Sequence, residues 1–133
     1  MYMTKVHVWI GVNYDENFDS YFELDYSELE MDIDDPQYQV CPFCKDINEL
    51  WYDEDLIGVY VSGESRELVD VAILLDDLSV SEQTLFEIKN ICSKKGIERA
   101  NSMFYYMDPE LVIHDTKKLY NKLTYLGCFD TDL

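Results

Sequence analysis

Between Asn13 and Asp55 the chain carries fifteen acidic residues and a single base, Lys45, so this stretch of 43 residues holds −14 of a net charge of −18. The ninety residues outside it hold the remaining −4. Like charge at this density opposes any compact state through self-repulsion. It also limits what the segment can bury. Its aromatic positions have to reach the core while its carboxylates stay in water, because a buried unpaired carboxylate is very costly. Solubility alone asks for a net charge of only about 2 to 8 in magnitude in a small domain. The excess needs something to offset it, and a basic partner is the simplest candidate.

Despite that charge the chain has enough to bury. Apolar residues make up 47% and aromatics 14%, with eleven Tyr and six Phe, which separates it from disordered acidic chains. A length of 133 residues predicts one domain, 1–133, burying about two thirds of its unfolded surface. Nucleic acid is excluded as a direct ligand, since phosphate binding requires clustered Lys and Arg. The apolar stretch Val6 to Val12 is too short for a membrane span or a signal sequence. A cytoplasmic protein with no membrane partner is expected, and in that compartment the four cysteines are free thiols.

KVHVWIGV alternates Val6, Val8 and Ile10 against His7, Trp9 and Gly11, which predicts a strand with two differently occupied faces. Asn13 then offers a helix N-cap with Glu16 three residues on, and Tyr14, Phe18, Tyr21 and Phe22 share one helical face. Asp15, Glu16, Asp19 and Glu23 lie mostly away from it. Asp25 to Gln39 has no sustained period and contains Pro36, so it reads as an exposed loop. Pro42 suits the start of a short helix within Cys41 to Glu49. Leu56 to Ser62 is β-branched and predicts a strand. Ser65 to Asp76 reads as a helix, with a strand at Val69 to Leu74 as its rival.

Ser79 and Glu82 fit a capping box, followed by the apolar stripe Leu85, Ile88, Ile91 and Cys92 and a C-terminus at Lys94, Lys95 and Gly96. Ala100 to Met107 predicts a strand, with Ala100, Ser102, Phe104 and Tyr106 on one side and Met103, Tyr105 and Met107 on the other. Leu111 to Tyr120 suits a short helix and Leu123 to Phe129 a closing strand. Together these elements predict an α+β fold, a small mostly antiparallel sheet packed against helices.

Chemical motifs are few. Cys41-Pro-Phe-Cys44 has the spacing of a thiol redox pair. A thioredoxin-like context would place it directly after a strand, and Asp46, Glu49 and Asp53 would raise a thiol pKa rather than lower it. Zinc would need further ligands from Cys92, Cys128, His7 or His114, none of which forms a second close pair. Asp53, Asp55, Gly58 and Glu64 match an EF-hand count only until Ile57 occupies a ligand position. Gly-x-Ser-x-Gly, His-Glu-x-x-His and phosphate-loop signatures are absent from the sequence. No cofactor, no metal and no catalytic residue are expected, and His7 reads as a structural histidine.

KVHVWIG, YFELDY, DDPQYQVCPFCKDI, WYDEDLIG and ANSMFYY together resemble the immunity protein 22 family of bacterial polymorphic-toxin systems. The likeness runs over most of the chain, is clearest in the first sixty residues and is thin between Ser65 and Lys95. It implies an α+β protein that binds and neutralises a cognate toxin, and it brings no catalytic residues with it. A nuclease-type toxin would present a basic site to such an acidic protein. The contact is then expected at Asp15, Asp19 and Glu23, at Asp32, Asp34 and Asp35, and at Trp51, Tyr52, Asp53, Glu54 and Asp55, the aromatic pair serving as an anchor within an acidic rim. Two alternatives stand beside it: an acidic adaptor for another basic protein, and a small Cys-x-x-Cys thiol oxidoreductase. The charge disfavours self-association through the acidic side.

Overall fold

The strand expected at KVHVWIG is the middle of the molecule. The computed structural model describes residues 5–15, 18–22, 41–49, 52, 54–63, 65–76, 78, 80–108 and 110–130. In chain order these form β1 (Lys5–Gly11), a 3₁₀ turn (Phe18–Phe22), α1 (Pro42–Asp46), a second 3₁₀ turn (Glu54–Leu56), β2 (Ile57–Val61), β3 (Val69–Asp70), α2 (Val71–Leu75), α3 (Glu82–Lys94), β4 (Arg99–Ala100), β5 (Ser102–Tyr106), β6 (Leu119–Tyr120) and β7 (Leu123–Asp130). Five strands make one sheet in the order β2-β5-β1-β7-β6, every pairing antiparallel, and β3 with β4 makes a second, two-stranded one. The α+β class expected from the sequence holds.

Because β1 lies between two strands, its alternation serves two cores. Val6, Val8 and Ile10 enter an aliphatic cluster with Val71, Leu74, Leu75, Leu78, Ile88 and Cys92. Trp9, from the other face, enters an aromatic cluster with Phe18, Tyr21, Phe22, Phe43, Tyr52, Phe104 and Tyr106. Burial of both faces explains why the strand is an almost unbroken apolar run.

The aliphatic face is roofed by α2 and α3. Ser81, not Ser79, caps α3, its hydroxyl accepting from the Thr84 N–H at 3.2 Å. At the other end Gly96 takes a left-handed φ of 75°. The Gly96 N–H then reaches the Ser93 carbonyl and the Ile97 N–H the Cys92 carbonyl, a Schellman closure. Both readings of 65–76 contributed: the pairing is short, β3, and the helix begins only where the Asp70 carboxylate accepts from the Ala72 N–H.

Three expectations fail for local reasons. Residues 111–120 are bends ending in β6 rather than a helix. The Asp115 carboxylate accepts from the N–H groups of both Lys117 and Lys118 at 3.0 Å, and such side-chain bonds compete with helical ones. The helix expected from Asn13 is only the turn Phe18–Phe22, which buries Phe18, Tyr21 and Phe22 and leaves Tyr14 exposed. The strand expected over Ala100 to Met107 breaks at Asn101, so Ala100 joins the aliphatic cluster while Phe104 and Tyr106 join the aromatic one.

The closing strand expected at Leu123 to Phe129 is β7, which lies inside the sheet between β1 and β6. A bulge shifts its register against β1 between Val8 and Trp9, which turns Tyr125 to the aromatic side and both Leu126 and Phe129 to the aliphatic side. The loop asserted for Asp25 to Gln39 lies outside the described residues.

Candidate functional site

Four asparagine and arginine side chains anchor the start of the acidic segment. Asn13 is buried; its N–H donates to Asn101 Oδ1 at 2.8 Å and its amide to the Asn121 carbonyl at 2.8 Å. Its own Oδ1 accepts from the Asp15 N–H at 2.7 Å, so the residue expected to cap a helix forms a turn instead. Arg66 lies 5.2 Å over the Phe18 ring and donates to the Asp15 carbonyl at 2.8 Å. Asn121 Nδ2 donates to the Phe18 carbonyl. Asp15 and Phe18 are thus tied to parts of the chain about fifty to a hundred residues away, at Arg66 and Asn121.

This anchoring leaves the carboxylates outward. Asp15 and Asp19 are exposed, as is Asp55 beyond the aromatic cluster. Glu54 belongs to the second 3₁₀ turn. Tyr52 is buried, its ring edge-on to Phe43 and its hydroxyl donating to the Phe22 carbonyl. That bond ties Tyr52 to the end of the Phe18–Phe22 turn within one aromatic core. As a surface anchor, however, Tyr52 is displaced: its ring packs inward. Glu23, Asp32, Asp34, Asp35, Trp51 and Asp53 lie outside the described residues.

Cations from later in the chain fold back onto the segment, which sequence reasoning missed. Lys122 comes within 3.7 Å of the Asp15 carboxylate and Lys118 within 3.3 Å of Asp46. Asp46 also accepts from the Tyr21 hydroxyl at 2.5 Å; burial first, and then this carboxylate, push the Tyr21 pKa far upward. Lys118 lies 4.8 Å over the Tyr120 ring, whose hydroxyl donates to the Asp115 carbonyl. Part of the self-repulsion is therefore offset internally. Only Lys122 had a readable signal: Asn121 and Lys122, both at positive φ between the paired Tyr120 and Leu123, make a two-residue hairpin turn of the kind Asn announces.

The remaining chemistry-bearing groups are accounted for by packing. His7 Nε2–H donates to the Asp108 carbonyl at 3.2 Å and Nδ1 accepts from the Tyr125 hydroxyl at 2.8 Å, so neither nitrogen is left to act as a base. Burial holds its pKa below the ordinary value, against the opposing effect of the Asp108 carbonyl. Cys92 sits on the opposite face of the sheet from Cys41 and Cys44. Among the described residues no group of three or more His, Cys, Asp or Glu could hold a metal ion. No helix among them is long and apolar enough to cross a membrane.

Cys41 and Cys44 bracket the first turn of α1. The Cys41 sulfur accepts from the Cys44 N–H at 3.4 Å, and the two thiols share a hydrogen bond at 3.1 Å. These bonds, the thiol's first, hold the Cys41 pKa down, whereas the same contact and burial drive that of Cys44 up. The expected effect of nearby acids is confined to Cys44, where Glu49 adds the least of the upward contributions; for Cys41 hydrogen bonding outweighs burial.

The profile of the family described as Immunity protein 22 matches residues 6–132, nearly the whole length, and the chain belongs to that family. Comparison with curated proteins gave no significant match, and neither did comparison with solved structures. Family membership suggests toxin neutralisation and implies a toxin partner.

Proposed function

We propose that the chain, as one domain over residues 1–133, binds a cognate toxin of a bacterial polymorphic-toxin system in the cytoplasm and neutralises it by covering a basic, nuclease-type site. The observation that carries this reading is the charge: −14 within residues 13–55. The aromatic core offers that segment a rigid base from which Asp15, Asp19 and Asp55 face outward. Glu23, Asp32, Asp34, Asp35, Trp51, Asp53 and Glu54 complete the proposed contact, and Tyr52 supports it from beneath. Acid against base steers encounter and raises association rates most at low salt, toward about 10⁸ to 10⁹ M⁻¹s⁻¹.

The test is stopped-flow association with the toxin encoded beside this chain, over a range of ionic strength, together with growth rescue on co-expression. The association rate is expected to fall about tenfold or more from low to physiological salt. The triple variant Asp15→Asn, Asp19→Asn, Asp55→Asn is expected to flatten that dependence while remaining folded. A rate indifferent to salt in the parent protein defeats the proposal.

A further inference from the structure

We infer that Cys41 and Cys44 form a reversible dithiol site that low-molecular-weight disulfides oxidise to an intramolecular disulfide, with Cys41 as the entering thiol and Cys44 as the resolving one. The geometry points to this division of labour. The two sulfurs are 3.1 Å apart across one turn of backbone, so closing to a bond of about 2.05 Å moves them together by about 1 Å. Cys41 keeps 7% of its surface exposed and Cys44 none, so a reagent reaches Cys41 first. Pro42 and Phe43 between them are in α1, and Phe43 is clamped edge-on by Trp9, Tyr52, Phe104 and Tyr106. The turn that carries both sulfurs is therefore held in one arrangement.

The other two cysteines lack these features. Cys92 is buried on the opposite face, where burial alone pushes its thiol up to about 11. Cys128 is exposed, yet its pKa is raised as well, chiefly by desolvation. Of the four, only Cys41 has its pKa lowered. The thiolate, not the thiol, is the nucleophile.

In the first step the Cys41 thiolate attacks one sulfur of a disulfide RSSR, forming a mixed disulfide and expelling RS⁻. Cys44 loses its thiol proton to that RS⁻, giving RSH. The hydrogen bond to an anionic Cys41 that raised the Cys44 pKa no longer exists at this stage. The Cys44 thiolate then attacks Cys41 Sγ, and the second RS⁻ leaves to take up the proton that Cys41 had released. Overall two thiols and RSSR become one protein disulfide and two RSH, with two electrons passing to the reagent. The oxidised bond would fasten residue 41, which follows directly on the stretch bearing Asp32, Asp34 and Asp35, to the core through a covalent link in place of a hydrogen bond. The inference stands whether or not the partner is a toxin.

The full chain, carrying Cys128→Ser to silence the exposed thiol, is incubated with mixtures of oxidised and reduced glutathione, alkylated and mapped by mass spectrometry. The peptide holding Cys41 and Cys44 is expected to lose two hydrogens and regain them with dithiothreitol, while Cys92 stays alkylatable only after unfolding. Cys44→Ser is expected to trap glutathione on Cys41, with a rate whose pH midpoint lies below the ordinary thiol value of about 8.5. In Cys41→Ser, position 44 is expected to react about tenfold slower or worse. Native protein whose Cys41 and Cys44 both remain alkylatable in excess oxidised glutathione overturns the inference, as does trapping on Cys44 rather than Cys41. Should either variant fail to fold, the map of the protein with both residues intact decides alone.

Discussion

On one face of the sheet, Val6, Val8 and Ile10 pack beneath α2 and α3; on the other, Trp9 lies beneath two 3₁₀ turns, the short α1 and the bends of 111–120. The roofs differ in how they satisfy their own backbones. A helix such as α3 closes its hydrogen bonds internally, so aliphatic side chains and two good caps suffice to dock it. Irregular segments cannot do so, and on the aromatic side tyrosine hydroxyls supply partners to two backbone carbonyls, Tyr52 to Phe22 and Tyr120 to Asp115, while Tyr125 and Tyr21 bond the side chains of His7 and Asp46. Large rings also supply area that short segments otherwise lack. The lesson is that an acid-rich stretch poor in aliphatic residues can still be anchored if its few apolar positions are aromatic.

The comparison breaks first at Trp9, which stacks on Phe104 with centroids 4.6 Å apart and touches Phe43, Tyr120 and Tyr125. Trp9→Ala should cost about 3 to 5 kcal/mol in urea unfolding. Its Nε1–H is buried with no hydrogen-bond partner among the described residues, so Trp9→Phe should cost distinctly less. Equal losses for the two would show that the indole nitrogen matters. On the aliphatic face Ile88→Ala should cost about 2 to 4 kcal/mol, and it should change near-ultraviolet circular dichroism less than Trp9→Ala does, because the fully buried rings lie across the sheet and Tyr60, Tyr105 and Phe129 on this side are only partly buried.

Removing one hydroxyl tests the hydrogen-bonding half of the contrast. Tyr52→Phe keeps the ring and should cost about 1 kcal/mol, with proteolysis accelerating on the aromatic side. A cost near zero would mean the Phe22 carbonyl finds water at no loss.

The smallest expected effect is a pH dependence from His7. Burial places its folded pKa below the value of 6.5 it has when unfolded, so the unfolded state takes up the proton first as pH falls. The stability tied to neutral His7 is complete above about pH 6.5 and is lost progressively below it. Wild type should therefore lose stability relative to His7→Gln between about pH 6.5 and 5; parallel pH curves for the two would refute the assignment.

What the sequence revealed of this architecture tracks how local each cause is. The alternation in KVHVWIG, the Pro42 start of α1 and the stripe of α3 are set within a few residues and could be read directly. Asn101 was unreadable, because its break between β4 and β5 depends on partners at Gly11, Asn13 and Arg66. The Ser79 cap failed for a subtler reason: Ser81 two residues on offers the same chemistry. Residues 111–120 suited a short helix, and Asp115 overruled it. In the proposed contact, the outward acids at 15 and 19 followed from the aromatic spacing beside them, whereas the inward turn of Tyr52 required knowing that Phe22 lies nearby.

The pairing of β1 with β7 joins residues 5–11 to residues 123–130, and it sits at the centre of the sheet. During synthesis the early strand has no neighbour on that side until residue 130 clears the ribosome. At about 5 to 20 residues per second, that wait is on the order of ten seconds. Over that interval Trp9 and its companions are open to chaperones and proteases. Ribosome stalling between the codons for β1 and β7 would lengthen that exposure.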